Sequence, residues 1–357
     1  MTKQNKNSKS SKKSLPFVSI CTPTFNRRPF IPYIIKCFEN QLYPKDRMEW
    51  IIVDDGTDKI EDLVSHIPQV KYYKYDTKLT LGKKRNLCHK YASGEIFVYM
   101  DDDDYYPPER VSHAVETLQN NPKALCSGSS EMFIFFKHIN KMYKFGPYGP
   151  THATAATFAF KRKLLDVTGY QEEACLAEEK HFLKDYTIPF VQLDSMKTIL
   201  VFSHNHNSFD KKTLLDTPNQ FVNLSDKIPS EFVKEENILQ FFMNDIDILL
   251  DNYEPGQPKN KPDVLKQIDD LAKQREESIK KQMEYQDTIN RIQNNSNLQN
   301  NSNLQMVQNK INEMVMIIQN LTMENAQLKE KTSYLENKIK QLISEKIQQK
   351  KQLKDNE

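Results

Sequence analysis

The chain has 357 residues, 38% of them hydrophobic and 27% charged, and a net charge of +2. That length holds one large domain or two of roughly 150 residues, and the near balance of charge excludes a broad nucleic-acid-binding surface as the main theme. All eight glycines except Gly256 lie at or before Gly169, and all 17 prolines lie at or before Pro262, so residues 263–357 hold neither helix breaker.

Residues 1–14 are Lys, Ser and Asn with almost no apolar residue, which reads as a disordered basic tail and not as a secretory signal. From 15 to about 206, strand and helix patterns alternate. Apolar strands are expected at 17–21, 49–53, 70–75 and 96–100. Helices are expected at 28–40, with Ile31, Ile34, Ile35 and Phe38 on one face, at 81–92, and at 107–119 with proline in the first turn. Alternating strands and helices imply right-handed crossover units and a mostly parallel α/β sheet. Strands at 132–136 and 157–160 flank a Gly/Pro turn region and suggest a mixed second half, followed by a strand at 198–202.

Downstream, Ser230 is placed to cap a helix running to about Leu250, as an extension packed on the domain (207–251). Residues 252–262, with Pro255, Gly256 and Pro258, read as a linker. Residues 263–303 read as a weak helix and an Asn-rich joint containing a duplicated hexapeptide. From 304 to 357 a heptad emerges: Ile311, Ile318, Asn325, Thr332 and Ile339 in one series, Met314, Leu321, Leu328, Leu335 and Leu342 in the other. Ile and Leu in this order, with Asn325 inward and matched flanking charges, favour a parallel two-stranded coiled coil and so self-association.

The chemistry gathers at strand ends. Asp101, Asp102, Asp103 and Asp104 follow the apolar strand 96–100 directly. Open α/β sheets bind ligands beyond the carboxyl ends of their strands, and clustered carboxylates there repel one another unless a cation such as Mg²⁺ or Mn²⁺ sits among them. Asp54, Asp55 and Gly56 end a second strand. The first strand ends in Cys21, Thr22, Pro23, Thr24, Phe25 and Asn26. Gly82, Lys83, Lys84, Arg85 and Asn86 open a helix whose amides and basic groups suit a phosphate. His204 and His206 stand at alternate positions after the last strand, as candidate metal ligands. His152, near the Gly149–Pro150 turn, is a weaker site candidate. The five cysteines have no metal-ligand spacing and read as reduced thiols.

These motifs, in order, spacing and strand context, resemble the family 2 glycosyltransferases of the GT-A fold, over about residues 15–206. The resemblance extends to transferases encoded by large DNA viruses. It implies that Pro23, Thr24 and Asn26 line the nucleotide pocket, that Asp54 or Asp55 meets the base or ribose, and that Arg85 approaches the nucleotide. It also implies that Asp101 and Asp103 form the DxD pair, with Asp103 on the metal and Asp101 and Asp102 on ribose or sugar. The family's acidic pair before the acceptor helix is matched by Glu178 and Glu179, with Glu where the family commonly has Asp. Glu179 is favoured as the base, with Glu178 as the alternative.

The expected function is an inverting, metal-dependent transfer from a nucleotide-sugar, a UDP-sugar foremost, to a glycan or other hydroxyl acceptor. Mn²⁺ or Mg²⁺ is the implied cofactor. The competing reading is a catalytically inactive assembly protein that works through its coiled coil. No apolar run of ~20 residues suited to a membrane span occurs. The expected location is cytoplasmic, a host cytoplasm or a virion if viral.

Overall fold

The computed structural model describes residues 15–216, 219–296 and 301–354. The expected basic tail (1–14), part of the Asn-rich joint (297–300) and the last three residues lie outside the described residues. The chain divides into two compact units, one ending at Ala272 and one beginning at Lys273.

The first unit is built on a seven-stranded mixed sheet. In chain order its opening elements are β1 (Val18–Thr24), α1 (Ile31–Glu39), β2 (Met48–Asp54), α2 (Glu61–Val64), β3 (Val70–Lys74), α3 (Leu81–Tyr91), β4 (Ile96–Tyr99) and α4 (Arg110–Asn120). There follow β5 (Cys126–Gly128), β6 (Met132–Phe136), β7 (Lys141–Phe145), β8 (Ala159–Lys161), α5 (Glu179–Phe182), β9 (Phe190–Gln192), β10 (Leu200–Ser203) and β11 (Val222–Leu224). The large sheet runs β3-β2-β1-β4-β8-β5-β9, and a four-stranded sheet runs β10-β6-β7-β11.

Strands β3, β2, β1 and β4 are mutually parallel, while β8 is antiparallel to both β4 and β5. The parallel half therefore presents the ends of β1, β2 and β4 together on one edge, as the sequence pattern requires. All seven residues of β1 and of β2 are buried, because helices or loops cover both faces. Ile20, Ile52 and Val98 face the layer that holds α1 and α4, whereas Cys21, Ile51 and Phe97 face the layer that holds α3. Trp50 stacks on Phe38 at 4.8 Å and its Nε1 donates to Thr22 Oγ1 at 2.8 Å, so its one polar atom is satisfied in the core.

Two expectations after residue 206 need correction. The helix expected from Ser230 to Leu250 is interrupted. A short helix Pro229–Phe232 is followed by extended backbone at Val233, and helical structure resumes at Glu236 and continues through Asp251. The break falls where Glu235 accepts hydrogen bonds from Asn40 Nδ2 and Tyr105 OH, both at 3.0 Å. These tertiary bonds outweigh the apolar periodicity. The segment 252–262 is not a free linker either. Gly256, Lys261 and Val264 are buried, and the segment packs onto the ends of β1 and β10.

A helix, Pro262–Ser296, begins in the first unit and continues into the second. The second unit also holds the 54-residue helix Asn301–Lys354, along which Met314, Ile318, Leu321, Leu328, Leu335, Ile339 and Leu342 are all more than half exposed or close to it. Among the described residues, no helix is long and apolar enough to cross a membrane.

Candidate active site

The four consecutive aspartates leave β4 in a turn whose members have different surroundings. The Asp101 amide donates to Tyr106 OH at 2.7 Å, and Tyr105 pairs with Leu200 through two backbone bonds of 3.0 and 2.9 Å. That bridge ties the acidic turn to β10 and so brings His204 to it. Asp103 Oδ2 lies 3.2 Å from Arg27 Nη2 and 3.4 Å from His204 Nε2. Asp102 Oδ1 lies 3.5 Å from Arg27 Nε. Burial drives the Asp103 carboxyl upward, but Arg27 and His204 outweigh it and hold the group well below the usual range. Asp102 is pushed up to about 7, by burial above all, against the pull of Arg27. Burial and the Asp103 charge push Asp104 well up.

Arg85, on α3, connects this turn to the segment just before α5. Its Nε donates to Glu178 Oε1 at 2.9 Å, and its two terminal nitrogens each lie 3.2 Å from an Asp101 oxygen. The guanidinium also lies 4.5 Å from the centre of the Tyr99 ring. Burial pulls its pKa down, but Asp101 and Glu178 more than offset that, so it stays firmly charged. Neighbouring α3 residues latch the same loop. Gly82 N donates to Ala174 O at 2.8 Å, and Asn86 exchanges bonds of 2.9 and 3.0 Å with the Tyr170 backbone. A Cβ on Gly82 would stand 2.0 Å from Gln171 O, so only glycine allows the loop this close. Helix α3 thus serves here to hold the Tyr170–Ala174 loop, and the Gly82 amide expected to face a phosphate is already used.

The two glutamates differ. Glu178 is buried against Arg85, whereas Glu179, the first residue of α5, is only partly buried and makes no ion pair among the described residues. Burial, then the Glu178 charge, push Glu179 up to about 7. The backbone around the pair is strained. Ala177, Lys184, Asp185 and Tyr186 all have left-handed φ values between 49° and 63°. Such conformations in non-glycine residues cost energy and collect at functional sites. His152 lies in an aromatic group, 4.9 Å from the Tyr148 ring and 5.1 Å from Tyr186.

Several residues expected to touch a nucleotide are committed to internal bonds. Asp54 accepts from Gly56 N at 2.8 Å, Ile60 N at 3.1 Å and Tyr72 OH at 2.6 Å. Asp55 pairs with Lys84 Nζ at 2.8 Å and accepts from the Leu79 amide. Asn26, at a left-handed φ of 52°, accepts from Asp58 N at 2.9 Å and donates to Pro255 O at 2.9 Å. These three hold the crevice in shape. Pro23 and Asp101–Asp103 line it, and the Thr24 hydroxyl is buried without a partner. Arg27 stands outside the residues singled out in the sequence, and Lys84 is expected there only as a basic group for a phosphate; Arg27 pairs with Asp102 and Asp103, and Lys84 with Asp55.

No group of three or more His, Cys, Asp and Glu side chains suited to a metal ion occurs among the described residues. Asp103 and His204 offer a smaller donor set. Their facing atoms are 3.4 Å apart. Neighbouring ligands of an octahedral cation at about 2.1 Å stand about 3 Å apart, and Mg²⁺ typically takes one or two carboxylates and fills the rest of its shell with water and phosphate oxygens. Asp103 with His204 fits that description, with a cation displacing Arg27 Nη2, 3.2 Å from Asp103 Oδ2, and Asn207 Nδ2, 2.8 Å from His204 Nε2. His206 Nδ1 is buried without a partner beside Gly256. Burial lowers His204 to about 3 and His206 to about 4, so both rings are neutral, as a ligand must be.

Residues 19–170 match the model of one family, Glycosyl transferase family 2. The acidic turn, Arg85 and Asp54 lie inside the matched span and the Glu178–Glu179 pair just beyond it. Among curated proteins, the chain is 31% identical over 116 residues to poly(ribitol-phosphate) beta-N-acetylglucosaminyltransferase TarS of Staphylococcus aureus, covering 29% of this chain and 19% of that protein. It is 32% identical over 117 residues to a dolichyl N-acetyl-alpha-D-glucosaminyl phosphate 3-beta-D-2,3-diacetamido-2,3-dideoxy-beta-D-glucuronosyltransferase of Methanococcus voltae, covering 30% of this chain and 35% of that one. The match thus spans about a fifth to a third of these relatives' length. Among solved structures, a mannosyltransferase from Pyrobaculum calidifontis in complex with GDP-Man and Mn²⁺ superposes with a TM-score of 0.45 at 16% identity, over 64% of this chain and 70% of that one.

Proposed function

We propose that this chain is a glycosyltransferase that moves a sugar from a nucleotide-sugar, a UDP-sugar foremost, to an acceptor hydroxyl with inversion at the anomeric carbon. The observation that carries the reading is the position of Arg85. One buried guanidinium binds both Asp101 of the strand-end acid cluster and Glu178 of the pair beside α5. A donor site and a base site are thereby held against each other.

In this reading Glu179 takes the proton of the acceptor hydroxyl as its oxygen bonds to the anomeric carbon, and the bond from that carbon to the diphosphate breaks. A carboxylate titrating near 7 suits general-base work at neutral pH. Glu178 keeps Arg85 in place and raises the proton affinity of its neighbour. Pro23, Thr24, Asp101 and Asp102 line the donor side, while Asn26, Asp54 and Asp55 shape it from behind. Asp103, with His204 or His206, would hold Mn²⁺ or Mg²⁺, which when bound supplies positive charge to the departing nucleoside diphosphate.

We also propose that residues 304–357 pair with a second copy as a parallel coiled coil, leaving residues 15–206, with the packed extension beyond, as the transferase. The exposed Ile and Leu stripe supports this, since an isolated helix has no use for it.

The deciding experiment is release of nucleoside diphosphate from a panel of sugar nucleotides with Mn²⁺, Mg²⁺ or EDTA, comparing wild type with Asp103→Ala. Release from one donor that needs both cation and Asp103 supports the proposal. No release, together with no cation-dependent nucleotide binding by calorimetry, overturns it. Retained anomeric configuration in the product, read by NMR, overturns the single displacement.

A further inference from the structure

Residues 253–267 lie outside the span of the family match and have the composition of a spacer, yet they form one side of the crevice at the strand ends. Tyr253 OH donates to Asp58 Oδ2 at 2.8 Å, and Asn26 Nδ2 donates to the Pro255 carbonyl at 2.9 Å. Farther along, Lys78 Nζ meets Asp263 at 2.5 Å, and the amides of Cys175 and Leu176 donate to Gln267 Oε1 at 2.8 and 2.7 Å. The segment is a strap, tied at one end to the loops after β1 and β2 and at the other to the loops before α3 and before Glu178.

Lys261 lies between those ties and is 5% exposed. Its Nζ donates to Ser208 Oγ at 2.8 Å. The other cations lining the crevice are already matched: Arg27 with Asp102 and Asp103, Lys78 with Asp263, Lys84 with Asp55. Among the described residues, Lys261 is the lining cation that makes no ion pair. Burial above all, then Arg27 from the loop after β1 and Lys84 from α3, draw its pKa well below the usual lysine range, against the pull of Asp103 and Asp102 from the acidic turn. An ammonium buried without its own counter-ion is costly, and an arriving anion would relieve that cost.

We propose that Lys261 is a donor-binding residue whose ammonium meets the diphosphate of the nucleotide-sugar, and that the strap carrying it closes over the donor. This rests on the glycosyl-transfer reading above. The crevice is partly open to solvent and holds about 150 Å³ of space, below the ~300 Å³ at the lower end of ligand pockets. The strap therefore lifts to admit a donor, and Lys261 returns with it. Opposite charge at contact distance, in a site shielded from water, makes a strong charge-assisted bond to a phosphate oxygen.

The test is calorimetric binding of UDP, GDP and the corresponding nucleosides to the full chain, in wild type, Lys261→Met and Lys261→Arg, with Mn²⁺ present throughout and thermal unfolding as the fold control. The expected result is a loss of about 10- to 100-fold in diphosphate affinity for Lys261→Met, little change for the nucleoside, and substantial recovery in Lys261→Arg. A folded Lys261→Met that binds the diphosphate as wild type does, or more tightly, overturns the assignment and leaves the transferase reading standing. Failure of the wild type to bind either diphosphate overturns both.

Discussion

Arg85 Nε and Glu178 Oε1 are 2.9 Å apart, with both side chains almost wholly out of solvent. The same guanidinium reaches Asp101, so one cation neutralises two carboxylates from separate parts of the chain. Removing one partner of a buried ion pair leaves the other charge unpaired and costs about 3–5 kcal/mol. Arg85→Met should therefore lower the unfolding midpoint sharply, with Arg85→Lys falling between it and wild type. Thermal unfolding by circular dichroism reads this directly. A midpoint unchanged in Arg85→Met would show that the bridge contributes nothing to the fold.

The glutamate pair should separate by kind of damage. Glu179→Gln keeps shape and removes the base, so transfer should fall by about 10²- to 10⁴-fold with the fold intact. Glu178→Gln should cost stability first, because Arg85 loses a charged partner. Single-turnover rates set beside unfolding midpoints would show the contrast. Equal loss of rate in the two variants at equal stability would contradict the division of roles.

The pH dependence follows from Glu179, which burial and Glu178 push up to about 7, while Arg85 draws it down and Tyr186 faces it from the following loop. Below that value the carboxyl keeps its proton and is too weak a base to take the acceptor's. The rate at saturating substrates should rise about tenfold per pH unit up to about 7 and then level. Stability runs the other way. A carboxyl whose folded pKa lies above its unfolded value of about 4.3 favours folding at low pH and loses that contribution as pH climbs from about 4 through 7. Glu179→Gln should accordingly be stabilised relative to wild type at pH 8 and nearly unchanged at pH 4. A wild-type rate that is flat from pH 5 to 8 would remove Glu179 as the base.

Gly256 reports on the strap. A Cβ there would stand 2.7 Å from His206 Nδ1 and 2.9 Å from Asn26 O, closer than real contacts allow. Gly256→Ala must push the strap away from the strand ends, at an overpacking cost of about 1–3 kcal/mol. Amide hydrogen exchange over residues 253–267 should speed up in the variant while β1 and β4 stay protected. Unaltered exchange in the strap would mean that it does not pack as described.

What the sequence disclosed follows the physics of each element. Strands β1, β2 and β4 are buried on both faces, so they appear as continuous apolar runs, and their ends carry the polar motifs that mark a crevice. The short strands β5, β9 and β11, three residues each, are strands only because a neighbour pairs with them, and no local pattern announces that. Asp54, Asp55 and Asn26 were legible as site residues but not as residues already bonded to their surroundings, since partners outside the motif, such as Tyr72, Leu79 and Pro255, leave no mark in it. Lys261 was hidden by composition. Pro255, Pro258 and Pro262 read as a spacer, although proline fixes φ and suits a rigid strap equally well. Arg27, two residues before Pro29 and adjacent to Asn26, falls in no pattern of its own.

The second unit offers a prediction independent of catalysis. Along the helix Asn301–Lys354, Leu321 is 52% exposed, Leu328 54% and Leu335 50%, and seven-residue spacing keeps them on one stripe. With Asn325 in the companion series, a second copy in parallel register buries each leucine against its equivalent. Charged side chains at two neighbouring positions of the leucine series should dissolve that seam. Light scattering should report a dimer for wild type and a monomer for Leu321→Asp/Leu328→Asp, with nucleotide binding per chain unchanged. A wild-type monomer at tens of micromolar would refute the pairing. A variant that stayed dimeric would place the contact elsewhere on the chain.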